Sequence, residues 1–131
     1  MNTVEYLHPG QWPVSIGFTT SPEAFDAEMK RLDVQNPWPF KAEGAAAAMH
    51  GFKGQDGDRF IICCEKPSRH IPKHVYAALV AHEALHVVQE MERLLFPSGR
   101  FDDESAAYLL HYIVEHCLQC IWPSKLERSI K

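Results

Sequence analysis

The sequence lacks the features that mark membrane, secreted and nucleic-acid-binding proteins. No apolar run approaches the roughly 20 residues that a membrane-spanning helix needs. The N-terminus, MNTVEYLHPGQW, has no basic region followed by an apolar stretch, so we expect no signal peptide. There is no stripe of basic and aromatic residues, and the formal net charge is −4. We therefore expect a cytoplasmic protein with neither a membrane nor a nucleic acid as its partner.

The sequence contains four cysteines. In the reducing compartment that we expect for this protein, cysteines are thiols rather than members of a disulfide framework. Cys63 and Cys64 are adjacent in a predicted strand, so their side chains point to opposite faces. Cys117 and Cys120 have Cys-x-x-Cys spacing, but near a helix end rather than at a helix start after a strand. We expect buried apolar thiols, with a second metal site or a redox site as the alternative.

The length and composition favour one globular domain over residues 1–131. The chain is 46% hydrophobic and 23% charged, which is ordinary for such a domain, and it has no internal repeat. Residues 1–13 contain three helix and strand breakers and are predicted to be irregular. Residues 14–19 predict a short strand. Ser21 and Pro22 predict a helix start, and its apolar face continues to about Asp33.

The rest of the chain predicts a hairpin followed by two long helices. Strands are expected at 46–52 and 59–65, around a turn at 55–58. The apolar run RFIICC predicts burial on both faces or a place near an edge of the sheet. Helices are expected at about 72–96 and 102–122, before a frayed tail at 124–131. The order predicts an α+β fold with a sheet of two or three strands.

The candidate site is the segment His-Glu-Ala-Leu-His within the first long helix. His82 and His86 are four residues apart, so both imidazoles lie on one helix face and can bind one zinc ion. Glu83 lies beside them without being a ligand. A carboxylate in that place can take the proton of a water whose pKa a metal lowers to about 7. The spacing predicts two zinc ligands and a general base.

A metal-free interpretation of the same helix stays open. Eight histidines raise the chance of a spurious match. However, one face of the helix is wholly apolar, whereas another carries Leu79, His82, His86 and Glu90. The presence of histidine and glutamate together on that second face calls for an explanation, which a metal site supplies. The alternative is a helix whose histidines are half-buried and hydrogen-bonded.

Glu104 is the predicted third ligand, because a hydrolytic zinc site has three protein ligands and one open position. It follows His86 by 104 − 86 = 18 positions, in the first turn of the next helix. The alternative is an N-terminal acid favoured by the helix dipole. Tyr108 and His111 continue its stripe and are candidates to hydrogen-bond a ligand or to stabilise an oxyanion. For Tyr108 the alternative is a half-buried core aromatic.

The segments HEALH and DESAAYLL resemble the gluzincin class of zinc metallopeptidases. That resemblance implies a zincin-like fold, with His82, His86 and Glu104 as ligands and Glu83 as the base. The stretch from His82 to about His116 is also similar to small phage- or prophage-encoded proteins described as zinc peptidases. Larger gluzincins carry a second domain that closes the substrate cleft, and this chain has no room for one. The resemblance further implies that strand 59–65 offers an open edge to a peptide, against the alternative of a plain core strand.

These observations predict a minimal zincin-like hydrolase with one Zn²⁺ and a peptide or protein as substrate. If the protein is phage-encoded, its compartment is the cytoplasm of a bacterial host. The alternative is a non-enzymatic phage structural or assembly protein, in which zinc is a staple between helices or a relic. The substrate's side chains and the oligomeric state are not encoded in any pattern found in the sequence.

Overall fold

The computed structural model describes residues 2–54 and 56–124, so most of the predicted tail at 124–131 lies outside the described residues. It is an α+β fold, as predicted. None of the helices in the described ranges is long and apolar enough to cross a membrane. The elements in chain order are β1 (Glu5–Leu7), β2 (Val14–Thr19), α1 (Pro22–Arg31), β3 (Ala47–Gly54), β4 (Gly57–Cys64), α2 (Lys73–Leu95) and α3 (Asp103–Ile121).

The sheet is mixed and has the strand order β1-β2-β4-β3. The central pair, β2 and β4, is parallel, and both outer pairs are antiparallel. Four strands replace the predicted two or three, because β1 falls within residues 1–13, which were expected to be irregular. This strand is only three residues long and lies next to Pro9 and Gly10, so its apolar pattern is too short to recognise. Its pairing with β2, in which Glu5 is opposite Phe18, defines it instead.

Strand β4 is the centre of the fold rather than an edge. It pairs with β2 on one side and with β3 on the other, so the open edge that the resemblance implied for it is wrong. The alternative, a core strand, is confirmed. Residues 60–64 are all buried. Their side chains alternate between the two faces, so a continuous apolar run supplies both cores at once.

Helix α1 covers one face of the sheet. Ser21 caps it, because its hydroxyl accepts a hydrogen bond from the backbone N–H of Ala24 at 3.0 Å, and Pro22 occupies the first helical position. Phe25 and Met29 of α1 pack against Ile61 and Cys63 of β4. This smaller core fixes α1 on the face opposite to the two long helices.

Helices α2 and α3 cover the other face. Phe60, Ile62 and Cys64 of β4 meet a core to which both helices contribute. Helix α2 packs on β3 and β4, whereas α3 packs on β1 and β2. Asp102 caps α3 by accepting from the backbone N–H of Ser105 at 2.9 Å. The predicted helix bounds are therefore right to within about one residue of the observed ends.

The hairpin between β3 and β4 depends on a glycine. Gly57 has a φ of +112°, a conformation that L side chains rarely adopt. A Cβ atom there would lie 2.7 Å from the carbonyl oxygen of Pro13, which precedes β2. The predicted turn at 55–58 is confirmed in place, although Gln55 lies outside the described residues.

A polar network ties α1 to the sheet. The Tyr6 hydroxyl donates to the Glu28 carboxylate. Arg31 donates to the same carboxylate through Nε at 2.6 Å and Nη2 at 2.7 Å. The guanidinium of Arg59 lies 4.9 Å from the centroid of the Tyr6 ring. The hydrogen bonds from Arg31 hold the pKa of Glu28 below its ordinary value, while burial raises the pKa of Tyr6 to about 12.

Val87 and Val75 provide a matched test of how α2 is packed. Val87 is fully buried and Val75 is about half exposed on the same helix. We expect Val87→Ala to lower the free energy of unfolding by about 2 kcal/mol, from two lost methylene equivalents and the cavity they leave. Val75→Ala should change it by less than about 0.5 kcal/mol. Urea unfolding followed by circular dichroism measures both, and equal losses would contradict the assigned face.

Glu28 should contribute a pH-dependent part of the stability. Its pKa is lower in the folded chain than in the unfolded chain, where it is about 4.3. The contribution is therefore fully present above that pH and is lost as the pH falls through the lower, folded value. We expect the unfolding free energy of Glu28→Gln to depend less on pH below about pH 4.5 than that of the wild type. Glu23→Gln, at an exposed position on the same helix, is the control; parallel curves for wild type and Glu28→Gln would refute the coupling.

Candidate metal centre

His82 and His86 meet on the exposed side of α2. The two Nε2 atoms are 3.2 Å apart, and the ring planes are nearly perpendicular at 78°. The rings lie one above the other because the residues are one helical turn apart. Both side chains are exposed, so the alternative of half-buried histidines is not what the structure shows. The helix brings two imidazole nitrogen atoms close together at the surface.

The separation of the two nitrogen atoms suits a tetrahedral zinc ion. With zinc–nitrogen bonds of 2.0–2.1 Å and a tetrahedral angle, two ligand nitrogens lie about 3.3–3.4 Å apart. The observed 3.2 Å is close to this spacing. It also suits an N–H···N hydrogen bond in which one ring donates to the other. The distance between the two nitrogen atoms is therefore compatible with two zinc ligands and with a hydrogen bond between the rings.

Glu83 occupies the boundary between the histidine face and the core. Its side chain is only 8% exposed. It faces the end of β4, where its charge, added to the larger effect of burial, raises the pKa of the Cys64 thiol to about 12. Burial also raises the pKa of the Cys63 thiol, with smaller contributions from Cys64 and then Glu83. Glu83 is thus a buried carboxylate next to His82 in the chain, and its role as a general base stays a prediction.

The histidine stripe continues along α2 to Glu90, four residues after His86. Glu90 forms an ion pair with Arg93 on the same helix. Together with Leu94 it lines a cavity of about 210 Å³ whose other wall comes from β3 and β4. The histidines therefore lie on the flank of α2 that borders the outer strand β3.

Glu104 is exposed in the first turn of α3, where the sequence predicts it. The chain enters α3 on another flank of α2: the backbone N–H of Phe101 donates to Glu92 at 3.0 Å. Glu92 is two residues from Glu90, and hence about 200° around the helix from it. Across residues 2–54 and 56–124, no three His, Cys, Asp or Glu side chains form a group that could hold a metal. Only the two histidines are brought together, and Glu104 as the third ligand stays a prediction.

Tyr108 and His111 lie on the exposed surface of α3. Tyr108 is 57% exposed, so the interpretation as a half-buried core aromatic is wrong. Its ring lies alongside that of Tyr112, with centroids 6.2 Å apart. The His111 Nε2 atom lies 3.4 Å from a carboxylate oxygen of Glu115. The ring contact of Tyr108 and the contact of His111 with Glu115 are both made within α3. The predicted role of Tyr108 and His111 toward a substrate stays a prediction.

The other histidines take structural or surface positions. His50 is buried and lies 3.0 Å from the carbonyl oxygen of Phe40 through Nε2. His8 contacts the Ser15 hydroxyl at 3.0 Å. His70 and His74 are exposed. Of the cysteines, Cys63, Cys64 and Cys117 are buried thiols, as predicted.

Sequence reasoning missed a cavity that lies between the β1–β2 connection and α3. Trp12, Tyr108 and Tyr112 contribute its aromatic surface. The spacing of the two tyrosines, one turn apart in a helix, was a usable signal. The sequence around Trp12 gave no such signal, because the segment that contains Trp12 comes near α3 only through the pairing of β1 with β2.

The comparisons with known proteins add nothing to these residues. No family model matches the chain, nor does any curated protein or any solved structure. What the protein does is therefore inferred from its own side chains and their geometry.

Proposed function

We propose that the protein is a zinc-dependent hydrolase, with a peptide or related amide as its substrate. The observation that carries this proposal is the pair of exposed imidazoles 3.2 Å apart, beside the buried Glu83. Two imidazoles and one carboxylate, the groups that metal-assisted hydrolysis needs, lie within five positions of one helix. A structural pair of histidines would not need a carboxylate at that position.

The two histidines and the glutamate of this segment have different roles in the proposal. His82 and His86 hold the ion through Nε2 and leave further coordination positions open. Bound zinc supplies a Lewis acid, which polarises a carbonyl and lowers the pKa of a water to about 7. Glu83 would be the general base, taking a proton from the attacking water and returning it to the leaving amine. Its low exposure keeps competing bulk water away from the carboxylate.

The third protein ligand has two candidates. Glu104 is the one that the sequence predicts, and it belongs to the proposal in that role. Glu90 is a second candidate, because the sequence places it on the same face of α2 as His82 and His86. Zinc accepts a carboxylate oxygen at about 2.0–2.2 Å, so either residue suits the ion chemically. Comparing the two Glu→Gln variants decides between them.

The first expected result concerns metal content. Protein purified with zinc should carry one ion per chain, and His82→Ala or His86→Ala should abolish stoichiometric binding, because one imidazole is an incomplete site. His74→Ala, at an exposed position on the same helix, should retain the ion. Elemental analysis after dialysis measures the content, and circular dichroism checks the fold. Equal zinc in all three variants would refute the site.

Variants of the two carboxylates identify the third ligand in the same assay. If Glu104 is the ligand, Glu104→Gln should lower zinc affinity by 10-fold or more (an order-of-magnitude expectation for one lost contact). Glu90→Gln should then leave the affinity unchanged. The reverse pattern would assign Glu90 and overturn Glu104.

The second expected result concerns catalysis. Glu83→Gln should keep zinc and the fold but lower hydrolysis by about 10²- to 10⁴-fold, the usual contribution of a general base. Fluorescein-labelled casein and a mixture of quenched peptides are the probes. Glu65→Gln, an exchange outside the histidine face, is the matched control. If Glu83→Gln still hydrolyses the probes, Glu83 is not the general base. If the zinc-loaded wild type cleaves neither probe, the peptidase proposal is contradicted.

A further inference from the structure

A second concave surface lies away from the histidine pair, between the β1–β2 connection and α3. It has a volume of about 500 Å³. Leu7, Pro9 and Trp12 form one wall, and Tyr108, Leu109 and Tyr112 form the other. Trp12 is fixed in place because its ring packs edge-on against Phe96 and Phe101, with centroids 5.8 and 5.2 Å away. We call this surface the aromatic cleft.

Two tyrosine rings of the aromatic cleft are exposed to solvent. Tyr108 is 57% exposed and Tyr112 is 51% exposed. The rings are tilted by only 22° from parallel. Large apolar side chains exposed together, rather than singly, mark a recognition surface. Their faces carry the negative part of the ring quadrupole, so they attract a cation that lies within about 6 Å of the centroid.

The helix that carries these rings has charge of only one sign. From Asp102 to Ile121 the sequence has four carboxylates and no lysine or arginine. Each tyrosine has an acid one turn away on the helix: Glu104 precedes Tyr108 by four residues, and Glu115 follows Tyr112 by three. Asp102 accepts from both the backbone N–H and the hydroxyl of Ser105, which lines the cleft. The hydrogen bond from the backbone of Ser105 holds the pKa of Asp102 below its ordinary value, so this carboxylate stays charged.

We propose that the aromatic cleft binds an arginine side chain from an extended basic segment of another protein. The planar guanidinium lies against the rings of Tyr108 and Tyr112, and the acids of α3 complement its charge. Arginine suits the cleft better than lysine, because a flat, weakly hydrated cation stacks on aromatic faces while its N–H groups remain free to donate. The described lining contains His8 but no lysine, arginine, aspartate or glutamate, so the preference for a cation comes from the ring faces and from the acids one turn away on α3.

This recognition site is independent of zinc chemistry. It assigns Tyr108 to partner binding, whereas its predicted role in hydrolysis would need it beside the histidines. If the proposed hydrolase is correct, the aromatic cleft is a place where a basic substrate protein is held away from the scissile bond. If no hydrolysis occurs, the cleft still binds its partner.

The test uses a blocked peptide, acetyl-Ser-Gly-Arg-Gly-Arg-Gly-Ser-amide, titrated into the ¹⁵N-labelled full chain without zinc. Amide shifts should move at Gly10, Tyr108 and Tyr112, and the affinity should fall as the salt concentration rises. Tyr112→Ala should weaken binding by about two- to five-fold, the value of one exposed cation–π contact. Tyr112→Phe should keep most of it, because the ring face remains. Trp38→Ala removes a ring that is 79% exposed outside the cleft and should change nothing.

Two further peptides make the outcome decisive. Replacing each arginine with glutamine removes the charge, and a proline-rich acetyl-Ala-Pro-Pro-Ala-Pro-Pro-amide offers an apolar ligand of a different class. Binding of the arginine peptide at least about five-fold tighter than both, and about two- to five-fold weaker in Tyr112→Ala, supports the proposal. Equal binding of the glutamine or proline peptide would show a general apolar groove and overturn it. The absence of shifts at the three amides would overturn it as well.

Discussion

The structure depends on how α2 divides its surface between the sheet and solvent. Val80, Ala84 and Val87 are fully buried against β4 and fix the rotation of the helix about its axis. Once that rotation is fixed, the 100° between successive residues leaves His82 and His86 outside and Glu83 at the boundary. Hydrophobic packing of the apolar face thereby determines the direction in which the polar side chains of α2 point.

Much of the fold could be predicted from the sequence because its signals are local. Ser21-Pro22 marks the start of α1, and Asp102 with Pro123 brackets α3. The strand β1 and the interior position of β4 could not be predicted, since strand order depends on contacts between distant segments. The resemblance to zincins implied that β4 lies at an edge of the sheet. In the structure β4 pairs with β3 on one side and, in parallel, with β2 on the other, so it lies inside the sheet.

The site was predictable to the extent that one helix contains it. The meeting of His82 and His86 follows from their spacing alone and is confirmed at 3.2 Å. The relation of Glu104 to them depends on how α3 is placed against α2, which no local pattern determines. Likewise, the exposure of Tyr108 and its nearness to Trp12 depend on where the β1–β2 connection lies. Residues on one element could be grouped by periodicity, but residues on different elements could not.

The exposure of the histidine pair has a consequence for the kinetics of metal exchange. An ion held by two surface imidazoles meets no side chain that must move aside before it enters or leaves. Its residence time is then governed by water and by small solutes such as citrate or phosphate that compete for the same coordination positions. In the proposed hydrolase, a substrate carbonyl would enter the same competition, so the occupancy of the site and its turnover would depend on the composition of the solution as well as on the chain.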